Sequence, residues 1–161
     1  MEETFRIREI RQSDKPWILE YIKNYWGSNI IVSRRKRYSI EELYGFIAVH
    51  DNEYVGLVTL KVDNQACQII TMDAIIENIG IGTSLLEQVI EYAIEQECRK
   101  VWLITTNDNT PALRFYQTRG FRLKAVYCNE IEFSRKLKPE IPIYGIDSIP
   151  IRDEIELEYT L

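Results

Sequence analysis

The sequence predicts an α/β fold of the α+β kind, organised around one central, mostly antiparallel sheet, and three stretches carry that prediction. Residues 46–50, 54–62 and 66–72 read as strands joined by the turn-forming segments Asp51-Asn52-Glu53 and Asp63-Asn64, which describes an antiparallel meander. Ile81, Leu85, Leu86, Val89, Ile90, Ala93 and Ile94 recur at helical spacing and mark one long amphipathic helix ending near Gln96. Val101-Trp102-Leu103-Ile104 is a short apolar run of the kind that forms a strand buried on both faces.

The other elements follow from local punctuation. Phe5, Ile7 and Arg8 give a short first strand, and Ser13-Asp14-Lys15-Pro16 carries the capping and first-turn signals of a helix. Trp17, Ile18, Tyr21, Ile22 and Tyr25 line one face of that helix up to Gly27. Ile30-Ile31-Val32 reads as a short strand, Ser33 to Arg37 as a solvated basic loop, and Ser39-Ile40-Glu41-Glu42 as a capping box for one helical turn. A second apolar helix starts at Thr110-Pro111 and ends at Arg119-Gly120, with Pro just inside its start and Gly just past its end. Residues 121–127 return as a strand. Residues 129–150 read as a Pro-containing loop, and Ile155, Leu157 and Tyr159 alternate with Glu154, Glu156 and Glu158 in a last strand with one solvated face.

Length and composition narrow the function. The 161 residues, 45% hydrophobic and 28% charged, suit one domain spanning 1–161, and no internal repeat or flexible linker divides them. A net charge of -5 gives no general attraction to nucleic acid or to anionic membranes. The start from Met1 to Glu9 alternates charge with apolar residues rather than forming a signal peptide, and no apolar run reaches membrane-spanning length. Cys67, Cys98 and Cys128 include no CxxC pair, which suggests reduced thiols in a cytoplasmic protein without a zinc site. Cys128 reads as a buried structural thiol. The single histidine, His50, reads as a solvated turn residue and excludes any triad or metal site that needs two.

Chemistry gathers at two helix starts. Gly80-Ile81-Gly82-Thr83-Ser84 joins a strand to the long helix, so backbone N–H groups without helical partners converge on one concavity suited to phosphate oxygens. A dinucleotide fingerprint would need Gly where Leu85 stands, and a P-loop would need Lys where Thr83 stands, so NAD and ATP are disfavoured. The second start is Asn109-Thr110-Pro111-Ala112-Leu113-Arg114-Phe115-Tyr116, closed by Gly120-Phe121.

Together these segments resemble the signature motifs of the GNAT superfamily of acetyl-coenzyme A dependent N-acetyltransferases: the Q/R-x-x-G-x-G/A loop at residues 77–82, and N-x-x-A-x-x-F-Y-x-x-x-G-F at residues 109–121. The element order agrees across roughly residues 4–128. Residues 134–139 and 149–154, with Trp26-Gly27-Ser28 and Gly45-Phe46, also resemble an uncharacterised bacterial branch. The resemblance implies a mixed, twisted sheet of about six to seven strands with about four helices, splayed between its fourth and fifth strands. It implies acetyl-coenzyme A as cosubstrate and no metal. The pantetheine arm would add like a strand beside Ile70-Thr71-Met72, and the pyrophosphate would rest on Asn78, Ile79, Gly80, Ile81, Gly82 and Thr83. Asn109, near Ala112, would bond the pantetheine arm, and Tyr116 would direct its hydroxyl at the thioester sulfur as general acid. A backbone N–H near Met72 would hold the oxyanion. The acceptor would be a small-molecule or protein amine, with neither nucleic acid nor membrane as partner; pairing into a homodimer is frequent in the family.

Several positions keep two readings. Asn109 is also a natural helix cap, Gly80 and Gly82 also suit close helix packing, and Tyr116 also suits a packed aromatic with a satisfied hydroxyl. Asp73 is the candidate general base, with a turn or bulge residue as its other reading; Glu130 and Glu132 are weaker candidates. Glu77 departs from the family's Arg or Gln and cannot donate to phosphate. The basic cluster at residues 33–37 could also meet an acidic substrate or the 3′-phosphate of coenzyme A. The competing functional reading is a non-catalytic acyl-coenzyme A binding or sensing module on the same fold.

Overall fold

The computed structural model describes residues 4–161; Met1, Glu2 and Glu3, where the alternating start begins, lie outside the described residues. The chain runs β1 (Arg6–Glu9), a 3₁₀ turn, α1 (Lys15–Trp26), β2 (Ile30–Ser33), β3 (Lys36–Ser39), a second 3₁₀ turn, β4 (Tyr44–His50), β5 (Glu53–Asp63) and β6 (Ala66–Ala74). It continues through α2 (Ile81–Glu95), β7 (Lys100–Thr106), α3 (Thr110–Gln117), β8 (Arg122–Tyr127), α4 (Ile131–Leu137), a third 3₁₀ turn and β9 (Glu154–Thr160).

Seven strands form a mixed sheet in the order β1-β4-β5-β6-β7-β9-β8, and β2 with β3 forms a separate hairpin. Among the described residues only β6 and β7 pair in parallel, over Ala66–Ile69 with Lys100–Leu103. Beyond Ile69 the ladder stops, which is the expected splay between the fourth and fifth strands of the large sheet. A bulge sits at the same place: Leu60 pairs with Ile69 and Thr59 with Thr71, leaving Ile70 as the extra residue on β6.

Side-chain alternation sorts the core to two faces. Ala48, Val58, Leu60, Ile69, Val101, Leu103 and Leu157 pack with Leu85 and Val89 of α2 and with Tyr116 of α3. Ile47, Val49, Leu57 and Ile70 pack on the other face with Ile18 and Ile22 of α1 and with Ile31 and Tyr38 of the hairpin. Gly56 lets α2 sit close to the sheet, because a Cβ there would come within 2.5 Å of the Ile81 side chain. No helix among the described residues is long and apolar enough to cross a membrane.

Several expectations are corrected. Residues 129–150 are not a plain loop: Pro139, Pro142 and Pro150 all lie outside α4, so they leave it free to form. Residues 33–37 are not a solvated loop but the turn and flanks of the hairpin, with Arg34 and Arg35 engaged by buried carboxylates. The Glu face of β9 is not simply solvated, since β9 lies between β7 and β8 and the hairpin covers Glu154, 2% exposed. β7 alternates buried and half-buried residues rather than being buried on both faces. Cys128 is exposed in the turn after β8, where no element covers it. His50 is more than a solvated turn residue, because its ring contacts the Thr4 carbonyl and Asp51.

Candidate active site

The split in the sheet forms the site, and the bulge at Ile70 explains its inner wall. Ile70 has no register partner on β5 and lies past the end of the parallel ladder, so the strand edge there is open to an added strand. Met72 and Asp73 follow on the same edge, both half-buried.

The loop after β6 leads into α2. Asn78 (φ 65°) and Gly80 (φ 87°) both adopt the left-handed conformation, and Gly80 caps the helix. A Cβ on Gly80 would meet nothing within 4 Å, so its role is backbone conformation beside open space rather than close packing. The first helical backbone bond runs from Ser84 N–H to Gly80 O at 3.0 Å, which leaves the N–H groups of Ile81, Gly82 and Thr83 at the bare helix start. Ile81 and Ile79 turn their side chains to the core, so only their backbones are available to a ligand. Gly82 abuts the Phe115 ring, which a Cβ would approach to 3.3 Å; here the close-packing reading is the apt one.

A basic residue that the motifs do not mark joins this wall. Arg119 donates from Nε and Nη2 to Thr83 Oγ1 at 3.1 and 2.9 Å, and its guanidinium stacks 3.8 Å over the Phe115 ring. A cation at a helix N-terminus opposes the helix dipole, an arrangement that an anion at the same place relieves. Glu77 is exposed and forms no ion pair among the described residues.

The opposite wall comes from β7 and α3. Asn109 Oδ1 accepts from the Ala112 N–H at 3.3 Å, so its cap role holds; its Nδ2 makes no hydrogen bond to another described residue. Half-buried Ala112 packs against the core one turn before Tyr116. Tyr116 is 6% exposed, and its hydroxyl likewise has no hydrogen-bond partner among the described residues. Burial pushes its pKa well above the ordinary tyrosine range, and the nearby Asp73 carboxylate adds to the shift.

Asp73 gathers an aromatic surround that sequence reasoning missed. Trp26, the last residue of α1, donates from Nε1 to Asp73 Oδ2 at 3.4 Å, and burial, with the Asp73 carboxylate adding to it, raises the pKa of Tyr21. Desolvation pushes the Asp73 carboxyl up to about 6, with the Trp26 hydrogen bond acting against it. The sequence signal was Trp26 beside the helix-ending Gly27. Glu130 is not available as a base: it is buried and accepts from Arg35 Nε at 2.5 Å. Glu132 is exposed in the first turn of α4.

A mixed sheet split at the one parallel pair among its described strands, with a bare helix start after β6 and Tyr116 on α3, is the layout of an acyltransferase fold. The chain belongs to the Acetyltransferase (GNAT) family, whose sequence model matches residues 5–121. It is 44% identical over 147 residues to the uncharacterised protein YxbD of Bacillus subtilis (strain 168), covering 91% of this chain and 92% of that one. An acetyltransferase of Elizabethkingia anophelis, solved with acetyl-CoA bound, superposes with a TM-score of 0.73 at 24% identity, covering 98% of each chain. A Bacillus subtilis acetyltransferase solved in complex with CoA gives 0.73 at 20% identity, covering 98% of this chain and 99% of that one. The fold is therefore that of acetyltransferases whose structures hold the coenzyme.

Proposed function

We propose that the protein is an N-acetyltransferase that transfers acetyl from acetyl-coenzyme A to a primary amine by direct attack in a ternary complex. The observation that carries this reading is Tyr116, 6% exposed, whose hydroxyl has no hydrogen-bond partner among the described residues and which feels the charge of the Asp73 carboxylate. A tyrosine keeps its proton at neutral pH and, positioned at the sulfur, can give it to a departing thiolate. Asp73, with a carboxyl pushed up to about 6, is ionised at pH 7 yet basic enough to accept a proton from the incoming ammonium.

The remaining residues bind and orient. The backbone N–H groups of residues 78–83 cradle the pyrophosphate, and the Arg119 guanidinium supplies beside them the positive charge that Glu77 lacks. The Ile70–Met72 edge pairs with the pantetheine arm, a backbone N–H there faces the carbonyl oxygen, and Asn109 Nδ2 donates to the arm from the other wall. No step needs a metal or a covalent enzyme intermediate. The acceptor class is a small-molecule or protein amine.

The test incubates the purified protein with acetyl-coenzyme A and a panel of primary amines and follows free thiol. Amine-dependent release that Tyr116→Phe abolishes, with coenzyme A binding retained, supports the reading. Coenzyme binding with no release across the panel points instead to a non-catalytic acyl-coenzyme A binding module.

A further inference from the structure

The two halves of the split sheet are joined by little backbone: four residues of β6 paired with four of β7. The β2–β3 hairpin crosses that junction. On the β6 side, the Tyr38 hydroxyl donates to Gln68 Oε1 at 3.1 Å, and Gln68 Nε2 donates to Ser33 Oγ at 3.3 Å, both buried. On the far side, the Arg34 N–H donates to Glu154 Oε2 of β9 at 3.1 Å, and the Arg34 guanidinium lies 3.3 Å over the Tyr127 ring of β8. Arg35 holds Glu130 through Nε and Nη2 and stacks 3.9 Å over Phe133 of α4. Lys138 Nζ, just past α4, donates to Ile30 O of β2 at 3.1 Å.

The turn is a poor one by its own chemistry. Arg34 (φ 49°) and Arg35 (φ 63°) both occupy the left-handed region, where two-residue hairpin turns favour Asn and Gly. The other turns of this kind carry Asp51-Asn52 and Asn64-Gln65. Side-chain contacts therefore hold Arg-Arg in a conformation that the backbone alone disfavours. Arg34 Nη1, buried and without a hydrogen-bond partner among the described residues, is held there by charge alone, 3.5 Å from Glu130 Oε1 and 3.9 Å from Glu154 Oε1. A turn with a disfavoured backbone is thus held where the hairpin meets the second half of the sheet.

We propose that this hairpin is a strap across the split sheet, and that Arg34 and Arg35 are positioning residues that set the width of the coenzyme cleft. Neither touches a reacting group. Arg34 fixes β9, and through it β7, against β6, and Arg35 fixes the start of α4 to the same turn, so that the Ile70–Met72 edge and the α3 wall stand at the separation the coenzyme needs. The functional half of the proposal rests on the coenzyme reading of the split.

The test replaces the pair by Arg34→Asn with Arg35→Gly, which gives the turn its preferred residues and removes both guanidiniums. Amide hydrogen exchange at residues 66–69 and 100–103 then accelerates, and the Kd for coenzyme A rises about fivefold or more, a usual size for coupling between separate sites. Cooperative unfolding and circular dichroism stay as in the parent. Glu130→Gln, which keeps the shape and removes the charge, moves both readouts the same way and serves if the double variant folds poorly. Unchanged exchange together with unchanged coenzyme affinity overturns the strap, as does a lowered Tm with both readouts unmoved. If the parent does not bind coenzyme A, the coenzyme reading fails, while the exchange experiment still decides the strap.

Discussion

Tyr116 and Asp73 differ in how the fold treats their protons, and that difference sets their expected behaviour. Tyr116 is held in its neutral form by burial and by the adjacent carboxylate, so it is an acid throughout the neutral range. Tyr116→Phe should lower kcat by about 10²- to 10⁴-fold, the usual contribution of one positioned proton donor, and leave coenzyme A affinity within about twofold. Equal losses in kcat and in coenzyme affinity would assign Tyr116 to binding instead. Asp73, pushed up to about 6, can serve as the proposed base only when ionised. With a base that must be deprotonated, kcat/KM for the amine rises with pH and levels off above that value; Asp73→Asn should remove this limb from the pH–rate profile. A limb that survives the substitution would belong to another group.

Elements with periodic apolar faces were legible in the sequence, and elements defined by distant contacts were not. α2 and β4 to β6 match the expected spans within a few residues, because Leu85 and Val89, or Ile47 and Val49, announce their faces by spacing alone. α4 was missed because its seven residues have no long apolar stripe and its hold on the fold comes through Glu130 and Phe133 meeting Arg35. In the candidate site, the positions of Asn109 and Gly80 at helix starts and of Tyr116 within α3 were readable because their local motif fixes their backbone. Trp26 and Arg119 were not, because each meets its partner, Asp73 or Thr83, across 47 or 36 residues. A similar long-range contact anchors the entry to α1. Asp14, 1% exposed, accepts from Arg8 Nη1 and Nη2 at 2.7 and 2.8 Å, from the Arg11 N–H at 2.7 Å and from the Tyr54 hydroxyl at 2.8 Å. Removing one side of such a pair strands the rest, so Asp14→Ala should cost about 3 kcal/mol in chemical denaturation. These donors, Arg8 foremost, hold the Asp14 carboxyl well below the usual carboxylate range. A carboxyl depressed on folding stabilises the protein fully above the ordinary Asp value of about 4, and that stability is lost as pH falls through the folded value. The parent should therefore lose stability below pH about 4 more steeply than the variant.

At the scale of the whole molecule, coenzyme binding across the split sheet, as proposed, would couple to stability. A ligand that pairs with Ile70–Met72 on one half and bonds Asn109 on the other bridges two halves that share only four residues of parallel ladder. It binds the folded chain and not the unfolded one, so it stabilises by RT ln(1 + [L]/Kd), about 2.7 kcal/mol at a hundredfold excess over Kd. For a chain of this size each kcal/mol moves Tm by about 2 to 4 °C. Acetyl-coenzyme A at that excess should therefore raise Tm by about 5 to 10 °C. NAD and ATP serve as controls, because the loop at Gly80-Ile81-Gly82-Thr83 lacks the third glycine and the lysine that their sites use. Gly82→Trp, which drives a large side chain into the Phe115 ring beside the bare helix start, should abolish the shift for the coenzyme. An equal shift with ATP would mean that the helix start takes any polyphosphate and that the split contributes nothing to recognition. A selective shift would show that both walls close on one ligand.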